Sequence, residues 1–267
     1  MIYKIDHDYH IHTYLSSCSN DPRQSIDRIQ KYALDNKLST VAITDHFWDS
    51  DVSGASSWYR PQNLEHISKN KPLPTTRVTK FLFGCETEMR SDGVIGIHKD
   101  HYSEFDFIIV PTTHLHMTGF TITDEDAESD DRRAELWVSR FERLLDSDLP
   151  FKRVGIPHLN CSLIRQGPRE KFLDVIRKIP TDKMGELFTR AAKLGVGIEI
   201  NKSAFSFTDS EADTMLRPFR IARSAGCKFY LGSDAHKPEH LDGATEVFER
   251  AIRLLDLRES DKFHIGE

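Results

Sequence analysis

Seven short apolar runs in this chain each carry a histidine, a carboxylate or both at or near their C-terminal end, and helical patterns lie between several of them. The runs are "YKIDHDYHIH" at the start, "STVAITDH" (39–46), "KFLFGCE" (80–86), "FDFIIVPTTH" (105–114), "KRVGIPH" (152–158), "GVGIEIN" (195–201) and "CKFYLGSDAH" (227–236). Runs of this length bounded by polar turns read as buried strands. Strands that alternate with helices build a parallel sheet. Seven units suit a sheet closed into a barrel better than a small open sheet, and 267 residues is an ordinary length for an α/β barrel. The expectation is one domain over residues 1–267.

The helical segments carry their own signals. In "SIDRIQKYALDNKL", Ile26, Ile29, Ala33 and Leu34 recur at helical spacing. "RRAELWVSRFERLLDSD" precedes the fifth strand, and "TDKMGELFTRAAKLG" precedes the sixth, with Thr181 as expected N-cap and Gly195 just past the C-terminus. "EADTMLRPFRIARSAG" leads to the seventh strand and "ATEVFERAIRLLDL" follows it. Residues 49–78, rich in Ser and Pro, read as a long loop with room for a short helix. Six of the eight residues from Asp124 to Asp131 are acidic, which marks a solvated helix start or a mobile lid.

In a parallel barrel the C-terminal strand ends share one rim. The polar ends here are His10 and His12, Asp45 and His46, Glu86, His114, His158, Glu199 and Asn201, then Asp234 and His236. On an uninterrupted first strand, Asp8, His10 and His12 line one face and His7 the other. Gathering so many imidazoles and carboxylates without a cation would leave buried polar groups and like charges unpaired. The pattern therefore points to bound metal. Imidazole with carboxylate suits Zn, Mn or Fe, and the ligand count calls for two or three ions. Asp45 and Asp8 are expected behind the ligands, orienting them. His66, His98, His101, His240 and His264 lie away from the rim, and His116 lies near it.

Composition excludes some functions. A formal charge of −6 and a pI near 6.1 disfavour a binder of long nucleic acid. No run of 18 apolar residues and no signal-like start is present, so no membrane association is expected. Four cysteines, Cys18, Cys85, Cys161 and Cys227, form no CxxC pair, which fits a reduced cytoplasmic protein.

The motifs "DYHIHT", "ITDH", "GCETE", "PTTHLH", "IPHLN", "IEIN" and "GSDAHKPE" resemble, in this order, those of the PHP family, named for polymerases and histidinol phosphatases. The resemblance runs from His10 to His236. It implies an α/β fold, a distorted seven-stranded, TIM-like (β/α)7 barrel, with a trinuclear metal centre. By motif, His10, His12, Glu86 and Asp234 would hold a first ion. Glu86 would bridge to a second, with His114 and His158. His46 and His236 would hold a third. The family supplies one more ligand shortly after its "HxHT" motif, where this chain offers Cys18 or Asp21.

The chemistry implied is hydrolysis of a small phosphorylated metabolite by a metal-activated hydroxide, with histidinol phosphate as the first substrate to test. Arg165, in "HLNCSLIR", is the expected cation for the phosphoryl group, and Lys202, after "IEIN", the second candidate. Asp234 and His236 are also placed to assist the leaving group. Competing readings are a nucleotide phosphatase or exonuclease of the same fold, an amidohydrolase-type enzyme, and a metal-dependent binding module without catalysis.

Overall fold

A computed structural model describes residues 1–267. The strands are β1 (His7–Ile11), β2 (Thr40–Ile43), β3 (His46–Phe47), β4 (Lys80–Thr87), β5 (Phe107–Ile109), β6 (Val154–Ile156), β7 (Gly197–Asn201) and β8 (Lys228–Gly232). They pair in parallel in the order β1-β2-β4-β5-β6-β7-β8, with the two-residue β3 also on β4. Beyond β8 the chain returns to β1. Asp234 N–H donates to the His10 carbonyl at 2.7 Å and His12 N–H to the Ala235 carbonyl at 3.1 Å. The result is the expected nearly closed barrel. Its helices are α1 (Ile26–Asp35), α2 (Leu64–Ile67), α3 (Asp124–Glu128), α4 (Asp130–Leu145), α5 (Arg169–Lys178), α6 (Thr181–Leu194), α7 (Ala212–Ser224), α8 (Pro238–Leu241) and α9 (Ala244–Leu255). No helix is long and apolar enough to cross a membrane.

Several local expectations change. "STVAITDH" is not one strand: it breaks at Thr44 and Asp45, between β2 and β3. Thr44 Oγ1 accepts the Ile11 N–H at 3.1 Å, while Asp45 turns to the segment after β1. β5 and β6 are only three residues long, so His114 and His158 stand on the loops beyond them. Helix α5, not anticipated, buries Phe172, Leu173, Val175 and Ile176. Thr181 is the first residue of α6, not its cap, and Pro180 precedes it without a side-chain bond. Gly195 does take the left-handed conformation (φ 79°) that ends that helix. The acidic run is a pair of helix starts. Thr123 and Asp126 form a capping box on α3, and Asp130 and Asp131 occupy the first turn of α4, where the helix dipole favours negative charge.

The first strand departs most from simple alternation. Its register slips between Asp8 and Ile11, and the slip changes which side chains face inward. Tyr9 belongs to an inner apolar cluster, and His7 lies on its side, with ring centroids 4.3 Å apart. Asp8 instead accepts bonds from Tyr32 Oη on α1 (3.1 Å) and from the backbone N–H of Ser233 and His10. Past the slip, His10 and His12 face the rim together. Asp8 does not share their face.

The inner cluster comprises Tyr9, Ala42, Leu82, Phe107, Ile109, Tyr230 and Phe263, separate from the larger core under the helices. On β6 and β7 the positions facing this cluster are glycines. A Cβ on Gly155 would lie 2.6 Å from both the Phe107 ring and Tyr230 Oη, and one on Gly197 would lie 2.9 Å from Phe263. Rings crossing from other strands fill the space that these two strands leave. Gly155→Ala should therefore overpack the barrel, lowering stability by about 1–3 kcal/mol. Urea unfolding should show a lower midpoint at unchanged slope.

Candidate metal centre

Above the apolar layer the barrel mouth is polar. His10, His12, His46, Glu86, His114 and His158 are buried there, and Asp234 and His236 stand at the partly exposed edge. Three groups are placed to hold ions: His10 with His12 and Asp234; Glu86 with His114 and His158; and His12 with His46 and His236. All eight residues that the motif resemblance pointed to come together at one rim.

Hydrogen bonds behind five of these histidines determine which ring nitrogen faces inward. Nδ1 of His10 donates to Glu199 Oε1 (2.7 Å). Nδ1 of His12 donates to Ser16 Oγ (2.9 Å), whose own proton goes to Asp45 Oδ1 (2.6 Å). Nδ1 of His114 donates to Glu88 Oε2 (2.7 Å). Nδ1 of His158 meets Thr113 Oγ1 (2.9 Å), which gives its proton to the His158 carbonyl. Nδ1 of His236 donates to the Asp234 carbonyl (2.9 Å). His10, His114 and His236 have partners that can only accept, so their neutral rings keep the proton on Nδ1 and turn the Nε2 lone pair toward the mouth; the hydroxyl partners of His12 and His158 allow the same arrangement.

Those lone pairs meet other lone pairs. His10 Nε2 and His12 Nε2 are 3.0 Å apart. Asp234 Oδ1 lies 3.4 and 3.3 Å from them, and Glu86 Oε2 lies 3.6 and 3.3 Å away. Tetrahedral ligands at zinc-type bond lengths sit roughly 3.3–3.5 Å from one another, so this donor set fits a cation at its centre. Glu86 Oε1 lies 3.2 Å from His158 Nε2, so the two oxygens of Glu86 face two groups. His46 Nδ1 is 3.0 Å from Glu86 Oε2 but lacks hydrogen-bond alignment and has no other partner. The donor chemistry fits two or three divalent ions. His12 has one lone pair to give, so it completes either the first group or the third.

Charge at the mouth follows the same logic. Burial alone would lower His10, but Asp234, Glu199 and Glu86 outweigh it and hold the ring well above its ordinary pKa. Burial would raise Glu86, but His46 and His10 hold it well below the usual carboxylate range. Burial, with His12 beside it, pushes His236 down to about 3. Two residues of the mouth carry backbone strain: His158 has φ 29° and Asp234 φ 53°, in the left-handed region that side chains avoid.

The supporting shell was only partly legible. Glu199, for which the sequence leaves a place behind the ligands, a substrate-facing place and a structural role all open, accepts His10 Nδ1, the His158 N–H (2.7 Å) and Asn201 Nδ2 (3.0 Å). Gly232 makes this possible, since a Cβ there would collide with Glu199 Oε1. Asp45 acts on His12 through Ser16, and it also accepts from Thr13 and Asn70. Glu88 was missed. The signal was its place two residues after Glu86 in "GCETE", on the same face of an extended chain. Its charge is met by buried Arg140 of α4, 3.3 Å away.

Other candidates stand elsewhere. Asp21 is taken up by Arg23 (2.6 Å) and joins no metal group. Cys18 lines the mouth but also joins none. Arg165 donates to Asp130 (2.7 Å) and to the Gln166 carbonyl, and Lys202 to the carbonyls of His240 and Asp242. Neither lines the cavity, because both long side chains find acceptors close at hand. His116 does line it. A fourth group, Asp49 with Asp51 and His101, lies outside; its buried carboxylate is occupied by His101 Nδ1 (2.6 Å) and the His98 N–H.

Glu199→Gln replaces an oxygen with a donor facing other donors. It should weaken zinc binding about 10–100-fold, measured by competition with a chromogenic chelator. Zinc must also displace protons from rings whose pKa is raised, such as His10. Uptake should release protons and weaken as pH falls, which calorimetry in buffers of different ionisation enthalpy would read.

No family model matches the chain, and no curated protein does. Among solved structures, the chain is similar to histidinol phosphate phosphatase from Lactococcus lactis subsp. lactis, crystallised with zinc, L-histidinol and phosphate. The TM-score is 0.57 at 17% identity, covering 92% of this chain and 93% of that one. The likeness is one of fold. An HMG-CoA lyase from Bacillus subtilis aligns with TM-score 0.44 at 11% identity, covering 95% of this chain and 76% of that one.

Proposed function

We propose that this chain is a metal-dependent phosphoesterase of the PHP fold, hydrolysing the phosphomonoester of a small metabolite. The observation that carries the reading is the set of five histidines whose outer nitrogens are committed to Glu199, Ser16, Glu88, Thr113 and the Asp234 carbonyl. That arrangement turns the inner nitrogens of five histidines toward two carboxylates at the barrel mouth, where His114, His158, His236, Glu86 and Asp234 line one cavity and His10 and His12 lie buried. Bound divalent ions would supply Lewis acidity, activating a water and neutralising charge on the phosphoryl group.

The chain's own residues then have distinct tasks. Glu86 would tie neighbouring ions together through its two oxygens. Glu199 and the Ser16–Asp45 pair would keep the rings from turning during turnover. Asp234 and His236, at the open edge, would face the substrate. Arg165 and Lys202 are engaged elsewhere, so the phosphoryl charge would rest on the ions. Histidinol phosphate is a fair first substrate because the protein of similar fold was crystallised with L-histidinol and phosphate.

The test is reconstitution with zinc, manganese or ferrous iron, followed by metal analysis and turnover of 4-nitrophenyl phosphate and histidinol phosphate. A fully loaded protein that hydrolyses no phosphomonoester would overturn the reading. Glu86→Ala and His158→Ala should each lose at least one equivalent of metal and at least 100-fold in turnover. Circular dichroism should show the barrel still folded, because these side chains sit above the apolar layer. Unchanged activity in both variants would refute their assignment.

A further inference from the structure

We propose that the outer cavity binds an uncharged, flat apolar leaving group, with Trp58 as its stacking face. This names the substrate class of the same site and rests on the phosphoesterase reading. The cavity of about 610 Å³ is far larger than a phosphoryl group needs. Its floor is the metal-competent rim. Its walls are Ser56, Trp58, Tyr59, Met117, Phe120 and Leu163, among others.

Charge argues first. No lysine or arginine lines the cavity, and its only carboxylates, Glu86 and Asp234, already face histidines. A leaving group with a second anion would lose water and gain no cation in return. An ammonium would likewise find no free carboxylate, which counts against histidinol, itself an amine, as the natural leaving group and keeps histidinol phosphate as a probe of the phosphoryl chemistry alone.

Shape argues next. Trp58 is 37% exposed, one of few large apolar side chains left in solvent. It is not loose. Its ring meets Tyr59 edge-on at 4.7 Å and 84°, and His46 at 5.1 Å and 66°. Tyr59 is buried and backed by Phe120 at 5.5 Å and Trp48 at 6.0 Å. A rigid aromatic wall thus stands directly beside a metal-competent histidine, open on the cavity side. Flat rings pack on such a face in offset or edge-on geometry.

Stable phosphonates test this without turnover. Zinc-loaded protein would be titrated calorimetrically with phenylphosphonate, methylphosphonate, phosphonoacetate and 2-aminoethylphosphonate. Phenylphosphonate should bind at least tenfold tighter than the other three. Trp58→Ala should lose at least tenfold more affinity for phenylphosphonate than for methylphosphonate, and Trp58→Phe should keep most of the preference. Equal binding of all four, tighter binding of a charged analogue, or equal losses in Trp58→Ala would overturn the inference while leaving the phosphoryl site standing. Binding of none of them would remove both.

Discussion

The barrel mouth is held in a state that only positive charge can relieve. Five imidazole lone pairs and two carboxylates converge there, and every other hydrogen-bonding option of those rings has been used from behind. Where two such nitrogens approach to 3.0 Å, as at His10 and His12, the contact calls for a proton or a cation between them. Protons or metal ions must enter. The raised pKa of His10 expresses the first possibility, and the near-tetrahedral spacing of the donor set expresses the second. The charge also falls where a phosphoryl group could use it.

The rest of the molecule makes that convergence tolerable. An apolar layer closes the barrel beneath the polar mouth, with Tyr9, Phe107, Tyr230 and Phe263 crossing the space left by Gly155 and Gly197. Water is excluded from below, so the ligands open only toward the cavity. Gly232 serves the polar tier in the same way, giving Glu199 room to reach His10 and His158 at once. The left-handed backbone at His158 and Asp234 is strain concentrated in this tier, next to the rings and carboxylates it aims.

Above the mouth, the chemistry changes from polar to aromatic within one side chain's width. His46 belongs to the rim, and Trp58 packs edge-on against it. Under the proposed function, recognition of charge and of shape would be adjacent but carried by different residues. Arg165 and Lys202 illustrate the separation. Both were plausible phosphate partners by position, yet each is satisfied by local acceptors and leaves the cavity free of cationic side chains.

The sequence by itself determined the parallel barrel and, with the motif resemblance, picked out eight residues that meet at its rim. Alternating strand and helix patterns admit few other folds, and strand ends in a parallel barrel share one face. Residues set by that periodicity, such as Glu86 at the end of β4, were legible. Only the tertiary structure decided which groups stand behind the ligands. Glu88 reaches His114 and Arg140 through contacts distant in sequence, and Glu199 acts across three strands. It also decided the slip in β1 that removes Asp8 from the face of His10, because register depends on both neighbouring strands at once. Periodicity is a local property and can be read along the chain. Hydrogen-bond partners and register are set by packing, and they exist only once the barrel has closed.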